Sequence, residues 1–374
     1  MNTLKTPAPS KTRNSAIELL RIVAMLMIIM SHSSYHGGFP EASSGFFPNN
    51  FFLDWMILGN LGVDIYIIIS GYFLSGKAFR PASVCRLLAQ VLFYSFLGYG
   101  IHLLWGNPFC IQDLKIVLLP TMYKSYWFFT AYFVLLWLSP FLNLFLEHAS
   151  RKQLLRCIYT MMILWCLVRS LTLQDMYGAT MSQFVMFYLI GAYFRKYPDN
   201  AFTLPGKRYL LALGSFFLLL FAIGVYRWLC PWATKLDVAQ RFHDPMSLLT
   251  AGTAIGMFAV AVNWKPFFCK SINLVASCTF GIYLLHDNPF VRSILWLDWI
   301  KNYQWFDSMY LLPRMLLSIL LVFSVCCAVE WLRQKTVAEP MTRAAETVFL
   351  WGMGLLRKAE KGNIEKSTDN LMKP

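Results

Sequence analysis

The sequence of 374 residues is 57% hydrophobic and 17% aromatic. Only 14% of it is charged, whereas an ordinary soluble domain carries about 25% charged residues. This composition excludes a soluble globular enzyme. The 33 Lys and Arg residues outnumber the 19 Asp and Glu residues, which gives a formal net charge of +14. Such an excess indicates nucleic acid or an anionic membrane surface as a partner, and the positions of the charges decide between them.

Apolar stretches recur along the whole chain at lengths of about 18 to 25 residues, each sufficient to cross a bilayer core of about 30 Å. They predict an all-α membrane protein, built as a bundle of about ten transmembrane helices. The predicted spans are, in chain order, 16–35, 55–75, 84–105, 126–146, 154–173, 180–195, 208–229, 246–264, 273–291 and 310–332.

Lys and Arg are distributed unevenly between alternate connections of these spans. Connections on the side of the N-terminus are rich in them, as in Arg151, Lys152 and Arg156, whereas the first connection on the other side contains none. Because excess positive charge marks the cytoplasmic side of a membrane, both termini are predicted to be cytoplasmic. Topology explains most of the net charge, and a nucleic-acid partner is not needed.

The chain divides into four predicted regions. Residues 1–15 form a cytoplasmic N-terminal segment, 16–335 the ten-span membrane domain, 336–361 an interfacial amphipathic helix and 362–374 a disordered tail. The amphipathic helix is expected because apolar residues such as Trp351 are interspersed with Lys and Arg, a pattern that favours a position on anionic lipid headgroups.

The first span carries two polar side chains on one stripe. Arg21 and His32 are eleven residues apart, which corresponds to three turns plus about 20° and an axial separation of about 16 Å. Glu18 lies one turn before Arg21, where it can pair with it. The stripe offers a cation near the cytoplasm and an imidazole deeper in the membrane. The alternative is that Arg21 is an interfacial anchor and His32 belongs to the outer headgroup layer.

The second span contains an acid within an apolar run. Asp64 needs a partner at membrane depth, for which an imidazole is suited, and a structural pair inside the bundle is the alternative. Ser70 and Gly71 allow close helix approach or a local opening, although helix packing alone would also explain them.

Two further groups could face the same region. The ninth span ends in His286, at about the depth of His32, and two imidazoles near an acid can transfer protons near neutral pH. A structural, hydrogen-bonded histidine is the alternative. Tyr126 and Trp127 belong to an aromatic run that could line a sugar or pantetheine passage, or could form a belt at the membrane interface.

Several common site types have no support. The nine cysteines include no Cys-x-x-Cys pair, which disfavours a zinc site or a disulfide framework. No HExxH, GxSxG, Walker or GxGxxG motif occurs in a supporting context. A zinc protease, a serine hydrolase, an ATPase and a dinucleotide-binding enzyme are therefore disfavoured, and no metal is expected.

Five segments resemble the acyltransferase-3 family of integral membrane acyltransferases, which modify bacterial surface polysaccharides and other glycans. Arg21 and His32 are similar to the family's Arg-x10-His element. Residues 62–74 resemble its aromatic-rich run into Ser-Gly-Phe-Leu, although Ile-Tyr-Ile at 65–67 stands where Phe-Phe is usual. The other similar segments are 126–129 leading to 138–143, 187–193 and 277–286. In this order they cover nearly the whole chain.

The resemblance implies a membrane O-acyltransferase, most often an O-acetyltransferase, in a bacterial plasma membrane. It would move the acyl group of cytoplasmic acetyl-CoA, or of another acyl-CoA, to a hydroxyl of a cell-surface polysaccharide or its precursor. His32 would be the catalytic imidazole, oriented by Asp64, and Arg21, paired with Glu18, would hold phosphate or carbonyl oxygens of CoA. Direct transfer with His32 as general base and a relay through an acylated His32 both remain open.

Further positions follow from the same resemblance. Ser70 and Tyr72 would line the donor passage, and Trp127, Tyr126 and His286 would contact the acceptor. The implied partners are acyl-CoA, a glycan, membrane lipids and, in a homo-oligomer, a second copy of the chain, but no nucleic acid.

A second function is compatible with the same residues. A transporter or exporter of a glycan or small anion could use Arg21, Asp64 and the histidines as a proton or anion pathway without acyl transfer. Turnover of acyl-CoA distinguishes the two.

Overall fold

A computed structural model of the chain describes residues 13–40, 49, 52–54, 59–123, 125–172, 178–230, 246–352 and 354. These residues form helices and their connections, and no β-strand occurs among them. Residues 1–12 of the predicted N-terminal segment, residues 353 and 355–361 of the predicted amphipathic helix and the tail 362–374 lie outside the described residues. Within the amphipathic segment, residues 338–352 are helical after a turn at Val337, and the position of this helix on a membrane surface stays a prediction.

The principal helices of the described part are α1 (Ser15–Tyr35), α2 (Gly59–Leu74), α3 (Pro81–Leu104), α4 (Ile111–Leu118), α5 (Trp127–His148), α6 (Arg151–Thr172), α7 (Ala179–Lys196), α8 (205–229), α9 (Leu248–Val262), α10 (Lys270–His286) and α11 (Leu311–Thr336). Two of them contain a π-helical turn, α6 at Met162–Leu167 and α8 at Leu210–Gly214.

Local sequence explains where several helices begin. The Asn14 side chain accepts a hydrogen bond from the Ala16 amide at the start of α1. Ser150 and Gln153 form a reciprocal capping box at the start of α6, and Pro81 is the first residue of α3. Each arrangement satisfies, or makes unnecessary, a backbone donor that has no partner inside the helix.

Each of the ten predicted spans coincides with a helix, and the short α4 is additional. Seven candidate spans are long and apolar enough to cross a membrane: α1, the span Phe52–Leu74 that contains α2 and whose residues 55–58 lie outside the described residues, α3, α5, α6, α8 and α11. The helices α7, α9 and α10 have 18, 15 and 17 residues and are not among the seven. The all-helical membrane fold is therefore confirmed, whereas the count of ten spans and the cytoplasmic position of both termini stay predictions.

Contacts between helix ends give the relative directions of α1 and α10. Near its start, the Ser15 hydroxyl donates to the Asn273 side chain at 3.0 Å. Near its end, His32 lies 2.9 Å from His286. The two helices therefore run parallel, and the last turn of α10 lies at the depth of His32.

Helix α2 lies between α1 and α7 at very short distances. A methyl group on Gly62 would overlap the Ala24 carbonyl of α1, and one on Gly71 would overlap the backbone of Tyr188 in α7. Gly191 of α7 is as close to the backbone of α2. Small residues that let helix backbones approach are typical of helix packing in membranes. Gly71 is therefore a site of close helix packing between α2 and α7.

Candidate active site

Arg21 and His32 project from one stripe of α1. The Arg21 guanidinium donates to the Glu18 carboxylate at 2.9 Å, so the predicted pairing is present. Glu18 also accepts two hydrogen bonds from Arg13, at 2.6 and 2.8 Å, and is almost completely buried. Arg21 remains one-fifth exposed. Because one carboxylate serves two guanidinium groups, the cluster keeps a net positive charge.

His32 forms a hydrogen bond with His286, the last residue of α10. His32 Nδ1 lies 2.9 Å from His286 Nε2, and His286 Nδ1 lies 2.7 Å from the Ile282 carbonyl oxygen. A carbonyl oxygen only accepts, so His286 Nδ1 carries a proton and, in the neutral ring, His286 Nε2 accepts. His32 therefore donates from Nδ1 and keeps the lone pair on Nε2, the form that a general base requires.

A buried carboxylate accompanies this histidine pair. Asp287 Oδ1 lies 3.7 Å from His32 Nδ1, 3.6 Å from His36 Nε2 and 3.9 Å from Arg292 Nη1. The side chains of Asp287 and His32 are only 6% and 17% exposed, so solvent screens the interaction between these two little. A positive charge that forms on His32 during a proton transfer would be stabilised by this carboxylate.

A cavity of about 30 Å³ lies beside His32, which is the space of about one water molecule. Aromatic side chains form most of its wall, among them Tyr66, Trp127, Phe128 and Tyr283. The Tyr283 hydroxyl is buried and has no hydrogen-bond partner within the described part of the chain. Since an unpartnered buried donor is costly, this hydroxyl is suited to bind an oxygen atom of a substrate.

Asp64 is not the carboxylate that accompanies His32. Gly62 faces α1, and Asp64, two residues later, points about 160° away around the helix. It faces α7, where its Oδ1 accepts a hydrogen bond from Gln183 Nε2 at 2.7 Å. The rotation of α2 therefore separates the predicted pair, and Asp287 takes the position that the sequence analysis gives to Asp64.

The three predicted acceptor contacts have different surroundings. Trp127 is 42% exposed and lines the cavity beside His32. Tyr126 is 1% exposed, and its hydroxyl donates to the Leu284 carbonyl and accepts from Asn288, so it supports the structure and has no surface for a substrate. His286 is fully buried and hydrogen-bonded to His32, and its predicted contact with an acceptor stays a prediction.

The predicted donor-passage residues lie toward the end of α2. The Ser70 hydroxyl donates to the Tyr66 carbonyl at 2.8 Å, inside its own helix. The Arg195 guanidinium lies 5.4 Å from the centre of the Tyr72 ring, a cation–π contact. Tyr72 thus positions a cation, whereas Ser70 satisfies its hydroxyl locally.

Cations gather on the predicted cytoplasmic side, where α2 and α7 end. Burial lowers the pKa of Lys77, and the positive charges of Arg195 and Arg80 lower it further. Because Arg195 and Arg80 carry the same charge as Lys77, they repel it. Such a cluster attracts polyanions.

Three residues of the site, His36, Asp287 and Arg292, are not among the site residues predicted from the sequence. His36 follows His32 by four residues, a spacing that returns a side chain to the same helix face, and Asp287 directly follows His286. Both neighbours of the predicted histidines could have been found by these spacings. Arg292 follows an irregular turn after α10, and no periodicity predicts its contact.

A comparison with protein families matches nearly the whole chain. The family model, described as an acyltransferase domain, covers residues 14–331. The chain belongs to the acyltransferase-3 family. This confirms the resemblance, and together with the apolar helices it identifies a multi-pass membrane protein of an acyltransferase family. Comparisons with curated proteins and with solved structures find no match.

Proposed function

We propose that this acyltransferase is an O-acyltransferase of a bacterial plasma membrane, which moves an acetyl group from cytoplasmic acetyl-CoA to a hydroxyl of a cell-surface polysaccharide or its precursor. The observation that carries the proposal is the hydrogen-bonded series from Ile282 through His286 to His32. It leaves the Nε2 lone pair of His32 as the base beside the cavity.

His32 would supply the base for the acyl transfer. Its Nε2 takes the proton of the acceptor hydroxyl as the oxygen attacks the thioester carbon, and the proton then passes to the departing sulfur of CoA. The charge that forms on His32 lies beside Asp287. A relay, in which Nε2 itself first carries the acyl group, uses the same lone pair.

Tyr283 would stabilise the oxygen of the thioester as negative charge develops on it. Its buried, unpartnered hydroxyl and His32 line one cavity, and a donor placed toward a developing oxyanion commonly contributes about 10²- to 10³-fold to kcat. A Tyr283→Phe variant, which keeps the ring, is expected to lower kcat in this range with little change in the KM for acyl-CoA. An unchanged kcat would exclude this role.

The cations would bind the phosphates of CoA. Lys77, Arg80 and Arg195 form the repelling group on the predicted cytoplasmic side, and Arg21 lies further along the path toward His32 on α1. Guanidinium groups bind phosphate through paired hydrogen bonds. Because the cavity beside His32 is so small, the acyl end of the donor must displace wall side chains, for which the half-exposed Trp127 is suited.

The test is acetyl transfer in membranes. Membranes that contain the wild type, His32→Ala or His148→Ala receive acetyl-CoA labelled in the acetyl group, and label is measured in base-labile esters of the polysaccharide. His148 is an exposed histidine at the end of α5, so its variant controls for the loss of an imidazole. Wild type and His148→Ala are expected to transfer label, and folded His32→Ala is not. Full transfer by His32→Ala would overturn the assignment, and wild type without acyl transfer would favour an exporter.

A further inference from the structure

An apolar groove of about 480 Å³ lies between α1, α8 and α9. Its walls include Leu20 and Val23 of α1, Leu213 in the π-helical turn of α8, Val260 of α9 and Trp264 just after that helix. Leu213 and Trp264 are each 52% exposed, so the groove opens at the surface of the bundle. Its volume is comparable with that of one long acyl chain.

The groove is separate from the candidate active site, although α1 contributes to both. Val23 lies about 160° around the helix from Arg21 and about 180° from His32. One face of α1 therefore carries the catalytic stripe, and the opposite face forms a wall of the groove. A ligand in the groove would contact neither His32 nor the cavity beside it.

Close backbone packing fixes the other two walls. A methyl group on Gly256 of α9 would overlap the backbone of Ala212 in the π-helical turn of α8. Gly252, one turn earlier, lies similarly close to Ser215. Because α8 and α9 touch directly at these positions, the groove has a defined shape, unlike the convex outer surface of a single helix.

Two cations are sequence neighbours of groove-lining residues on the predicted cytoplasmic side. Arg208 precedes the lining residue Tyr209, and Lys265 follows the lining residue Trp264. The Arg208 guanidinium lies 5.6 Å from the Tyr209 ring, and its buried Nε has no hydrogen-bond partner among the described residues. An apolar groove with cations beside its lining residues is complementary to an acyl chain joined to an anionic headgroup.

We infer that this groove binds one anionic phospholipid, with an acyl chain along α1 and its phosphate at Arg208 and Lys265. A neutral lipid would gain nothing from the two cations, and free phosphate would gain nothing from the groove. The bound lipid would support the face of α1 opposite the catalytic stripe. The inference is independent of the reaction proposed above, because lipid binding is measured without acyl transfer.

The test measures which lipid remains on the protein. The full chain is reconstituted in vesicles of equal phosphatidylglycerol and phosphatidylcholine, extracted with mild detergent and analysed for bound lipid by mass spectrometry. The Arg208→Gln/Lys265→Gln variant removes the headgroup cations, and Lys152→Gln/Arg156→Gln removes two exposed cations of α6 as the matched control. The wild type and the control are expected to retain phosphatidylglycerol preferentially. In Arg208→Gln/Lys265→Gln this preference should fall roughly 30-fold, about fivefold for each cation removed.

A second pair of variants tests the acyl-chain part of the site. Val260→Trp fills the groove, whereas Leu317→Trp adds the same ring to the exposed surface of α11, where Leu317 is 69% exposed. Only Val260→Trp is expected to reduce retained phosphatidylglycerol. Wild-type protein that keeps the two lipids in the supplied ratio would overturn the inference, as would equal losses in groove and control variants.

Cross-linking detects lipid in the groove of the wild-type protein, so it does not depend on the folding of a variant. Phosphatidylglycerol with a photoreactive acyl chain is expected to label peptides from 16–23, 209–213 and 257–267, and excess unlabelled phosphatidylglycerol should suppress this labelling. Labelling spread evenly over the exposed helices would contradict a defined site. Suppression only by a lipid-linked glycan would assign the groove to the acceptor instead.

Discussion

The hydrogen bond between His32 and His286 gives the sharpest prediction about the site. His286→Ala removes the acceptor for the Nδ1 proton of His32, so the ring loses both its orientation and its fixed tautomer. A hydrogen bond to a group that becomes charged contributes about 1.5–3 kcal/mol. If this bond strengthens in the transition state, its loss lowers kcat roughly 10- to 150-fold. The KM for acyl-CoA should change little, because the cations of the donor site are untouched.

Two matched variants separate positioning from packing. The side-chain oxygen of His286→Gln can occupy the position of imidazole Nε2 and accept the same hydrogen bond, so this variant should recover most of kcat. His286→Leu fills the space without an acceptor and should resemble His286→Ala. Steady-state acetyl transfer with both substrates varied measures kcat and each KM. A normal kcat in His286→Ala with a raised KM for the acceptor would refute the reasoning and restore His286 as an acceptor contact.

Three further predictions concern other parts of the molecule. Asp287→Asn should lower kcat about 10- to 100-fold, because the carboxylate no longer stabilises a charged His32. In the same transfer assay, the kcat of Asp64→Asn should stay within a few fold of wild type. Equal losses in the two variants would contradict the assignment of Asp287 as the carboxylate that acts on His32. The pKa of Lys77 is lowered, so its positive charge is lost at a lower pH than usual. Because this charge would bind CoA phosphate, the KM for acyl-CoA should rise as the pH increases into the alkaline range. Lys77→Arg, which stays charged, should abolish that rise. Gly71→Ala should lower the free energy of unfolding in detergent by about 1–3 kcal/mol or more, while Gly100→Ala, which has open space around it, should be neutral or stabilising.

The sequence predicts the helices well because the length of an apolar stretch depends only on consecutive residues. Each predicted span coincides with a helix, and the main differences are at the ends. The criterion of length and hydropathy is less suited to α7, which carries Gln183 and Gly191 inside the bundle. Polar side chains in a membrane helix are tolerated where they face the interior of the bundle, so the span of α7 cannot be counted by hydropathy alone.

The site is predicted only in part, because its geometry depends on packing between distant helices. The periodicity of α1 alone is sufficient to place Arg21 and His32 on one stripe. Periodicity does not predict which neighbouring helix Asp64 faces, because the rotation of α2 is set by the close contacts of Gly62 and Gly71. The carboxylate beside His32 comes instead from the residue just after α10, Asp287, while His286, the last residue of α10, is the hydrogen-bond partner of His32.

The central claim is that His32 is the base for acyl transfer from a bound acyl-CoA. Its most direct test is a single-turnover measurement with purified protein in detergent, where water takes the place of the acceptor hydroxyl and receives the acyl group. Acyl-CoA binding and the release of CoA by this hydrolysis are followed in wild type, His32→Ala and Arg21→Ala. The account predicts slow CoA release by the wild type, normal binding without release by His32→Ala, and weakened binding by Arg21→Ala. Release of CoA by His32→Ala at the wild-type rate would contradict it.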